Sequence, residues 1–136
     1  MKGFDSMKIT GKIAKANFDK RLVFGWASVA VDRDGVAVVD SDGDVIRIEE
    51  LERGAYEFVE FYREGGAMHE RRGVAQLVES CVFTAEKLSA MGLSADALPL
   101  GWWIGFRVFD DAVWQKVKSG EYNMFSIGGR ADRKEI

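Results

Sequence analysis

The chain has 136 residues, of which 47% are hydrophobic and 30% charged, and its formal net charge is -3. This length and apolar fraction are typical of one compact domain with a buried core. The 19 basic and 22 acidic residues are mixed along the chain, so no basic surface predicts nucleic-acid binding. No apolar run is long enough for a membrane helix. We expect a soluble intracellular protein with a single domain over residues 1–136, and no nucleic-acid or membrane partner.

Strands and acidic turns are predicted first. Residues 8–16 and 21–31 alternate loosely between apolar and polar side chains and are separated by a polar turn. This pattern predicts two antiparallel strands. Turn-forming acidic segments follow at residues 32–35 and 40–44.

A long helix comes next. Apolar side chains recur at helical spacing over residues 48–63, with glutamates in the first turn, where the helix dipole favours them. Gly65 and Gly66 should end this helix. His69 is then expected in the loop that leaves the helix, before a strand over residues 73–83.

The last third alternates short helices and strands. Thr84 is a plausible N-cap for a helix through Met91, and Asp110 can cap a helix over residues 111–119. The aromatic and β-branched segments 100–109 and 122–130 predict strands. Single helices between strands, without regular alternation, favour an α+β fold over a doubly wound sheet.

The single cysteine, Cys81, cannot form an internal disulfide. It lies in the apolar run of residues 78–83, which predicts a buried structural thiol. A catalytic cysteine is the less favoured interpretation.

Two residues carry the clearest chemical signal. His69 is the only histidine, and Ser126 lies in a strand end bordered by Gly128 and Gly129. A serine hydroxyl is a poor nucleophile near neutral pH unless a neighbouring base takes its proton, and histidine suits that task. Two separated residues do not define a catalytic site, however, because such sites are recognised by their geometry. A surface histidine and an ordinary strand end explain the same residues.

Five blocks in this order resemble the phage prohead (capsid maturation) proteases, in the XkdF-like serine protease branch. The resemblance covers about residues 18–132. The blocks are 22–27 (LVFGWA), 40–46 (DSDGDVI) with 50–52 (ELE), 68–70 (MHE) with Gly73 and 77–80 (LVES), 101–106 (GWWIGF), and 124–129 (MFSIGG). The resemblance implies a compact, mainly antiparallel β-barrel with a few surrounding helices, similar to herpesvirus assemblin. It also implies an endopeptidase that cleaves scaffold and capsid proteins during prohead maturation, without a cofactor.

Carried over to this chain, the resemblance implies that Ser126 is the nucleophile and His69 the general base. The residue that orients His69 stays open. Related proteases place a third residue beyond the nucleophile, where only Asp132 and Glu135 are acidic in this chain. Glu79 is the first choice, provided that the loop and the following strand fold back together, because an isolated glutamate in an apolar strand is costly to bury without a partner.

Two further features have competing interpretations. Backbone N–H groups around residues 128–130 could form an oxyanion hole, or the same segment could be a plain β-bulge. Asp40, Asp42 and Asp44 copy the first ligand positions of a calcium-binding loop. Val45 and Leu51 stand where that loop needs glycine and glutamate, so an acidic turn is favoured over a metal site.

The main alternative to a protease is a non-catalytic capsid-assembly or scaffold-binding module that keeps the fold. The family resemblance places the protein in the host cytoplasm, within the assembling prohead. It names the scaffold and major capsid proteins as substrates and makes a homo-oligomer possible.

Overall fold

The computed structural model describes the backbone of residues 8–17, 20–39, 43–62, 64–67, 71–122 and 124–128. Side-chain surroundings are described for residues 13–14, 20–39, 43–61 and 75–122. The strands are β1 Lys8–Lys12, β2 Lys15–Asn17, β3 Leu22–Val31, β4 Glu64–Ala67, β5 Arg71–Phe83, β6 Leu100–Val108 and β7 Met124–Gly128. The helices are α1 Ile48–Glu57, α2 Ala85–Ala90 and α3 Asp111–Lys118.

An antiparallel five-stranded sheet in the order β2-β3-β6-β5-β4 organises the described residues. Its central strand is β6, which pairs with β3 on one side and β5 on the other. Both pairings contain register shifts, between Trp26 and Ser28 on β3 and between Leu77 and Glu79 on β5. Such irregularities bend a strand and increase its twist.

A separate pair of strands lies beside this sheet. β1 and β7 pair antiparallel, and β1 also lies against β3. The α+β class is therefore confirmed. The described strands form an open sheet, so they show neither a closed barrel nor the assemblin-like fold that the resemblance implies.

One face of the sheet carries the hydrophobic core. Successive residues of β6 alternate between the two faces, and Trp102 and Ile104 are fully buried on the inner face. Phe58 packs edge-on against Trp102, with ring centroids 5.7 Å apart. The Trp102 indole N–H donates to Ser80 Oγ at 2.9 Å, which satisfies the polar atom of this buried ring. The core residues from the helices include Leu51 and Ala55 of α1 and Val113 and Trp114 of α3.

The N-termini of α2 and α3 lie where the sequence predicts them. The Thr84 hydroxyl accepts from the backbone N–H of Lys87 at 3.2 Å, and the Asp110 carboxylate accepts from that of Val113 at 2.9 Å. The N-cap predictions at both residues are therefore confirmed. A side-chain cap is a local interaction, so neighbouring residues suffice to predict it.

The segment after α1 differs from the prediction. The α-helix ends at Glu57 and continues as a π-helix over Phe58–Tyr62. Gly65 and Gly66 then lie inside β4 rather than ending the helix, and β4 pairs antiparallel with β5. The short sequence Glu-Gly-Gly-Ala has no strand propensity of its own, so its pairing partner determines its conformation.

Gly101 is placed where the backbones of β3 and β6 approach most closely. A side-chain carbon at this position would lie 2.4 Å from the backbone oxygen of Ser28 and 2.9 Å from Cα of Val29. These atoms belong to the backbone, so they cannot move without displacing β3. Glycine at this position is a packing requirement of the sheet.

We predict that Gly101→Ala lowers the free energy of unfolding by about 1–3 kcal/mol, as overpacking of a core does. Gly105→Ala is the comparison on the same strand and should destabilise less, because its nearest neighbours, Oε1 and Cβ of Glu79 and Cβ of Phe24 at 3.2–3.4 Å, belong to side chains rather than to the backbone and lie further away. Urea unfolding measures both variants. Equal destabilisation of the two would contradict the close approach at Gly101.

Candidate functional site

Ser126 lies in the middle of β7, directly opposite Thr10 of β1. The pairing fixes the backbone on both sides of this serine, between Phe125 and Ile127. Gly128 is the last residue of the strand, opposite Lys8. A nucleophile on a paired strand has a fixed backbone, which is what positioning for attack requires. Gly129 and Arg130, the rest of the predicted oxyanion segment, lie outside the described residues.

His69 also lies outside the described residues, as does its neighbour Glu70. The flanking strands are described, and their pairing includes Ala67 opposite Arg71. The prediction that His69 lies in the loop directly after the long helix is wrong. Strand β4 intervenes, so residue 69 comes between β4 and β5 in the order of elements.

Glu79 lies on β5 opposite Gly105 of β6, which in turn lies opposite Phe24 of β3. Its side chain is exposed, so the expectation of a costly buried glutamate is wrong. The register shift between Leu77 and Glu79 accompanies this placement on the outer face of the sheet. Among the described residues, the Glu79 carboxylate makes no hydrogen bond or ion pair.

The distance along β5 bears on the proposed pairing of Glu79 with His69. Arg71 and Glu79 lie in one continuous strand, and eight residues of strand span roughly 25 Å. The two residues that separate position 69 from Arg71 can reach back along the strand by at most about 7 Å. The described strand does not fold back, which was the condition for Glu79 to orient His69. The third catalytic residue stays a prediction that this strand does not support.

Ser126 and Glu79 are likewise not brought together by the described strands. Ser126 is on β7, which pairs with β1 in a separate sheet and also lies against β3. Glu79 is on β5, which is separated from β3 by the central strand β6.

The acidic turn shows no metal site in the part of the chain that the structure describes. Asp44 is exposed, whereas Asp40 and Asp42 lie outside the described residues. The neighbouring turn at residues 32–35 is well defined, because the Asp32 carboxylate accepts from the backbone N–H groups of Asp34 and Val36, both at 2.9 Å. This arrangement is typical of a structural turn.

Four aromatic side chains lie together on the outer face of the sheet, and the sequence analysis did not predict this cluster. We call it the aromatic face; its members are Phe24, Trp26, Phe83 and Trp103. Ring centroids lie 5.7 Å apart for Phe24 and Trp103, 5.3 Å for Trp26 and Trp103, and 5.8 Å for Trp26 and Phe83. All four side chains are partly exposed. The signal in the sequence was the alternation of glycine and aromatic residues on β6, which places Gly101, Trp103 and Gly105 on one face.

Cys81 lies opposite Trp103 on this same outer face. Cys81 is free and partly exposed, so the prediction of a buried structural thiol is wrong. The inner face of β5 is occupied by its neighbour Val82, which is 1% exposed. The alternation of the strand thus directs Cys81 outward.

Lys87 forms a polar contact between α1 and α2. Its ammonium donates to the backbone oxygen of Val82 at 2.7 Å and to the Tyr56 hydroxyl at 3.0 Å, while Tyr56 donates to Glu52 at 2.8 Å. Burial alone would lower the pKa of Lys87, but the hydrogen bond with Tyr56 and nearby Tyr56, Cys81 and Glu52 raise it above its usual value. Lys87 is therefore a structural cation at neutral pH.

The comparisons with known proteins agree with the class that the sequence blocks indicate. Residues 10–135 match the model of the family described as "Putative phage serine protease XkdF". The match spans both His69 and Ser126 and nearly the whole chain. The chain belongs to this family.

Two relatives come from Bacillus subtilis (strain 168). An uncharacterized protein, YqbD, is 27% identical over 132 residues, which is 96% of this chain. The phage-like element PBSX protein XkdF is 28% identical over 115 residues, or 84% of this chain. The chain spans 38% of the length of each relative. No solved structure matches it. In the described part of the chain, no helix is long and apolar enough to cross a membrane.

We predict that Lys87→Met lowers the free energy of unfolding by about 1 kcal/mol at pH 7, because it removes hydrogen bonds from a charged donor that is partly exposed. A pKa raised by folding stabilises the protein fully below the unfolded value of 10.5, and this contribution is lost as the pH rises through the folded value. The deficit of the variant should therefore shrink above pH 10.5.

Urea unfolding at pH 7 and at high pH measures this effect. Lys118→Met, at an exposed position of α3, is the control and should change stability little at either pH. A deficit for Lys87→Met that is the same at both pH values would contradict a stabilising charge on Lys87.

Proposed function

We propose that this protein is a serine endopeptidase of a phage or phage-like element, with Ser126 as nucleophile and His69 as general base. The supporting observation is the family match over residues 10–135, which includes both residues. With one histidine in the chain, the choice of an imidazole base is unique. The fixed backbone of Ser126 within β7 suits a nucleophile.

The proposal requires the two edges of the structure to meet. Residues 68–70 connect β4 to β5, and β4 is at one edge of the five-stranded sheet. Ser126 is on β7, which pairs with β1 and lies against β3, on the other half of the sheet. Closure of β4 against β7 would form the barrel that the family resemblance implies. A barrel closes with a stagger between its strands, and that stagger would set the level at which residue 69 meets Ser126.

The chemistry follows from these two side chains. His69 accepts the proton of the Ser126 hydroxyl as Oγ attacks the scissile carbonyl carbon, and the resulting imidazolium then protonates the leaving amine. Backbone N–H groups of residues 128–130 donate to the oxyanion. Water, deprotonated by His69, hydrolyses the acyl-enzyme and restores Ser126.

The proposed substrates are the scaffold and major capsid proteins of the assembling prohead. The relative named for the phage-like element PBSX supports a phage context. The proposed location is the prohead within the host cytoplasm, and association into a homo-oligomer is part of this proposal. The chain spans 38% of the length of each relative. These assignments are therefore proposed for the segment that the chain represents.

We predict that Ser126→Ala and His69→Ala each reduce cleavage of co-expressed scaffold and capsid proteins by at least about 10³-fold, as removal of a nucleophile or base does in serine proteases. Gel analysis of the processed fragments measures this, with circular dichroism to verify folding. Ser89→Ala, at an exposed serine of α2, is the matched control. Full processing by both folded variants would contradict the protease proposal and favour the non-catalytic assembly module.

Glu79→Gln separates the remaining candidates for orienting His69. A fall in kcat of about 10⁴-fold, as for loss of the triad carboxylate, would assign this role to Glu79 despite the length of β5. An unchanged kcat would exclude Glu79 and leave Asp132, Glu135 or a Ser126–His69 dyad without a third residue. The measurement uses a peptide spanning a mapped cleavage site, and the corresponding amide variants of the other two acids complete the set.

A further inference from the structure

Ser126 shares one face of the β1–β7 pair with a second hydroxyl residue. The register places Thr10 of β1 directly opposite Ser126 of β7. Directly opposite residues of an antiparallel pair lie on the same face with their Cβ atoms about 4.5–5.5 Å apart, and threonine–serine hydrogen bonds are among the pairs that stabilise sheets. The backbone therefore places the two hydroxyl residues at a separation that one hydrogen bond can span.

The residue types divide the β1–β7 pair into two unlike faces. Side chains alternate along a strand, so the neighbours of Thr10 and Ser126 in their own strands fall on the other face. These neighbours are Ile9, Gly11, Phe125 and Ile127. Such a division is typical of an antiparallel pair that packs one face against a core and leaves the other to solvent. Attack by Ser126 on a polypeptide requires an accessible face of this kind.

Thr10 is the cross-strand neighbour of Ser126 that is best suited to fix it. Lys8 and Lys12 share this face but lie opposite Gly128 and Met124. They are therefore diagonal to Ser126, at about 7–8 Å across the pair. Threonine is β-branched and has a restricted first side-chain torsion, whereas a lysine side chain is long and flexible.

We propose that Thr10 is a positioning residue for Ser126. The Thr10 hydroxyl donates to Oγ of Ser126 and holds the serine in the rotamer from which its own proton points to His69. As Oγ attacks, the Ser126 proton passes to His69, and Thr10 keeps its proton throughout. This inference rests on the proposed role of Ser126 as nucleophile and adds one residue to the same site.

A fluorophosphonate probe measures the reactivity of Ser126 without a mapped substrate, because Oγ displaces fluoride from phosphorus while its proton passes to the base. Intact-protein mass spectrometry gives the rate, and peptide mapping identifies the modified residue. We expect Thr10→Val to slow the reaction about tenfold, the size of one lost hydrogen bond. Thr10→Ser keeps a hydroxyl and should react within about twofold of the wild-type rate.

The order of the two variants separates positioning from strand stability. Valine favours strands more than serine does, so a purely structural role would make Thr10→Ser the slower variant. A positioning role makes Thr10→Val the slower one. Ile9→Val, at the adjacent position on the other face of β1, is the matched control and should leave the rate unchanged. Circular dichroism verifies that each variant is folded.

Each possible failure has a distinct meaning. Equal rates for Thr10→Val and wild type, with Ser126 modified in both, would overturn the role of Thr10 and leave the proposed nucleophile intact. A slower reaction of Thr10→Ser than of Thr10→Val, or an equal loss in Ile9→Val, would overturn it in favour of a structural role. A wild-type protein in which Ser126 does not react would contradict the proposed nucleophile itself, and the role of Thr10 with it.

Discussion

The structure depends on the two different faces of β6. On the inner face, Trp102, Ile104, Phe106 and Val108 are all buried. On the outer face, Gly101 allows the close approach of β3. A strand with large apolar side chains on one face and glycines on the other can pack against helices while its neighbours lie tightly on both edges. The positions of β3 and β5, and hence of α1 and α3, follow from this strand.

The same asymmetry determines which chemistry is available on each side of the sheet. The inner face is closed by apolar packing, and the buried Trp102 indole N–H donates to Ser80 Oγ. The outer face retains charge and aromatic surface together, with exposed Glu79 opposite Gly105 and exposed Arg107 two residues further along β6. Polar recognition in the described sheet is therefore possible on the outer face, where the charged groups remain accessible.

The sequence predicts the local features well because neighbouring residues determine them. Thr84 and Asp110 cap their helices through their own side chains, and the aromatic and β-branched segment predicted as a strand forms β6. Prediction from the sequence fails where a residue distant in the chain determines the local conformation. The Gly65–Gly66 segment becomes a strand because β5 pairs with it. Residue types also suffice to choose Ser126 and His69 as candidates, but their mutual distance depends on how β4 and β7 are placed, which is a long-range property.

Residue type alone makes Glu79 a candidate for orienting His69, and strand geometry bears on that role. A carboxylate ten positions after a histidine is a reasonable partner for it if the chain turns back between them. In β5 the chain continues from Arg71 to Phe83 as one strand, so each added residue carries the carboxylate about 3.3 Å further away. The register shift between Leu77 and Glu79 places Glu79 opposite Gly105, on the side of Phe24 and Trp103. An extended strand thus removes support for an orienting role of Glu79 near residue 69.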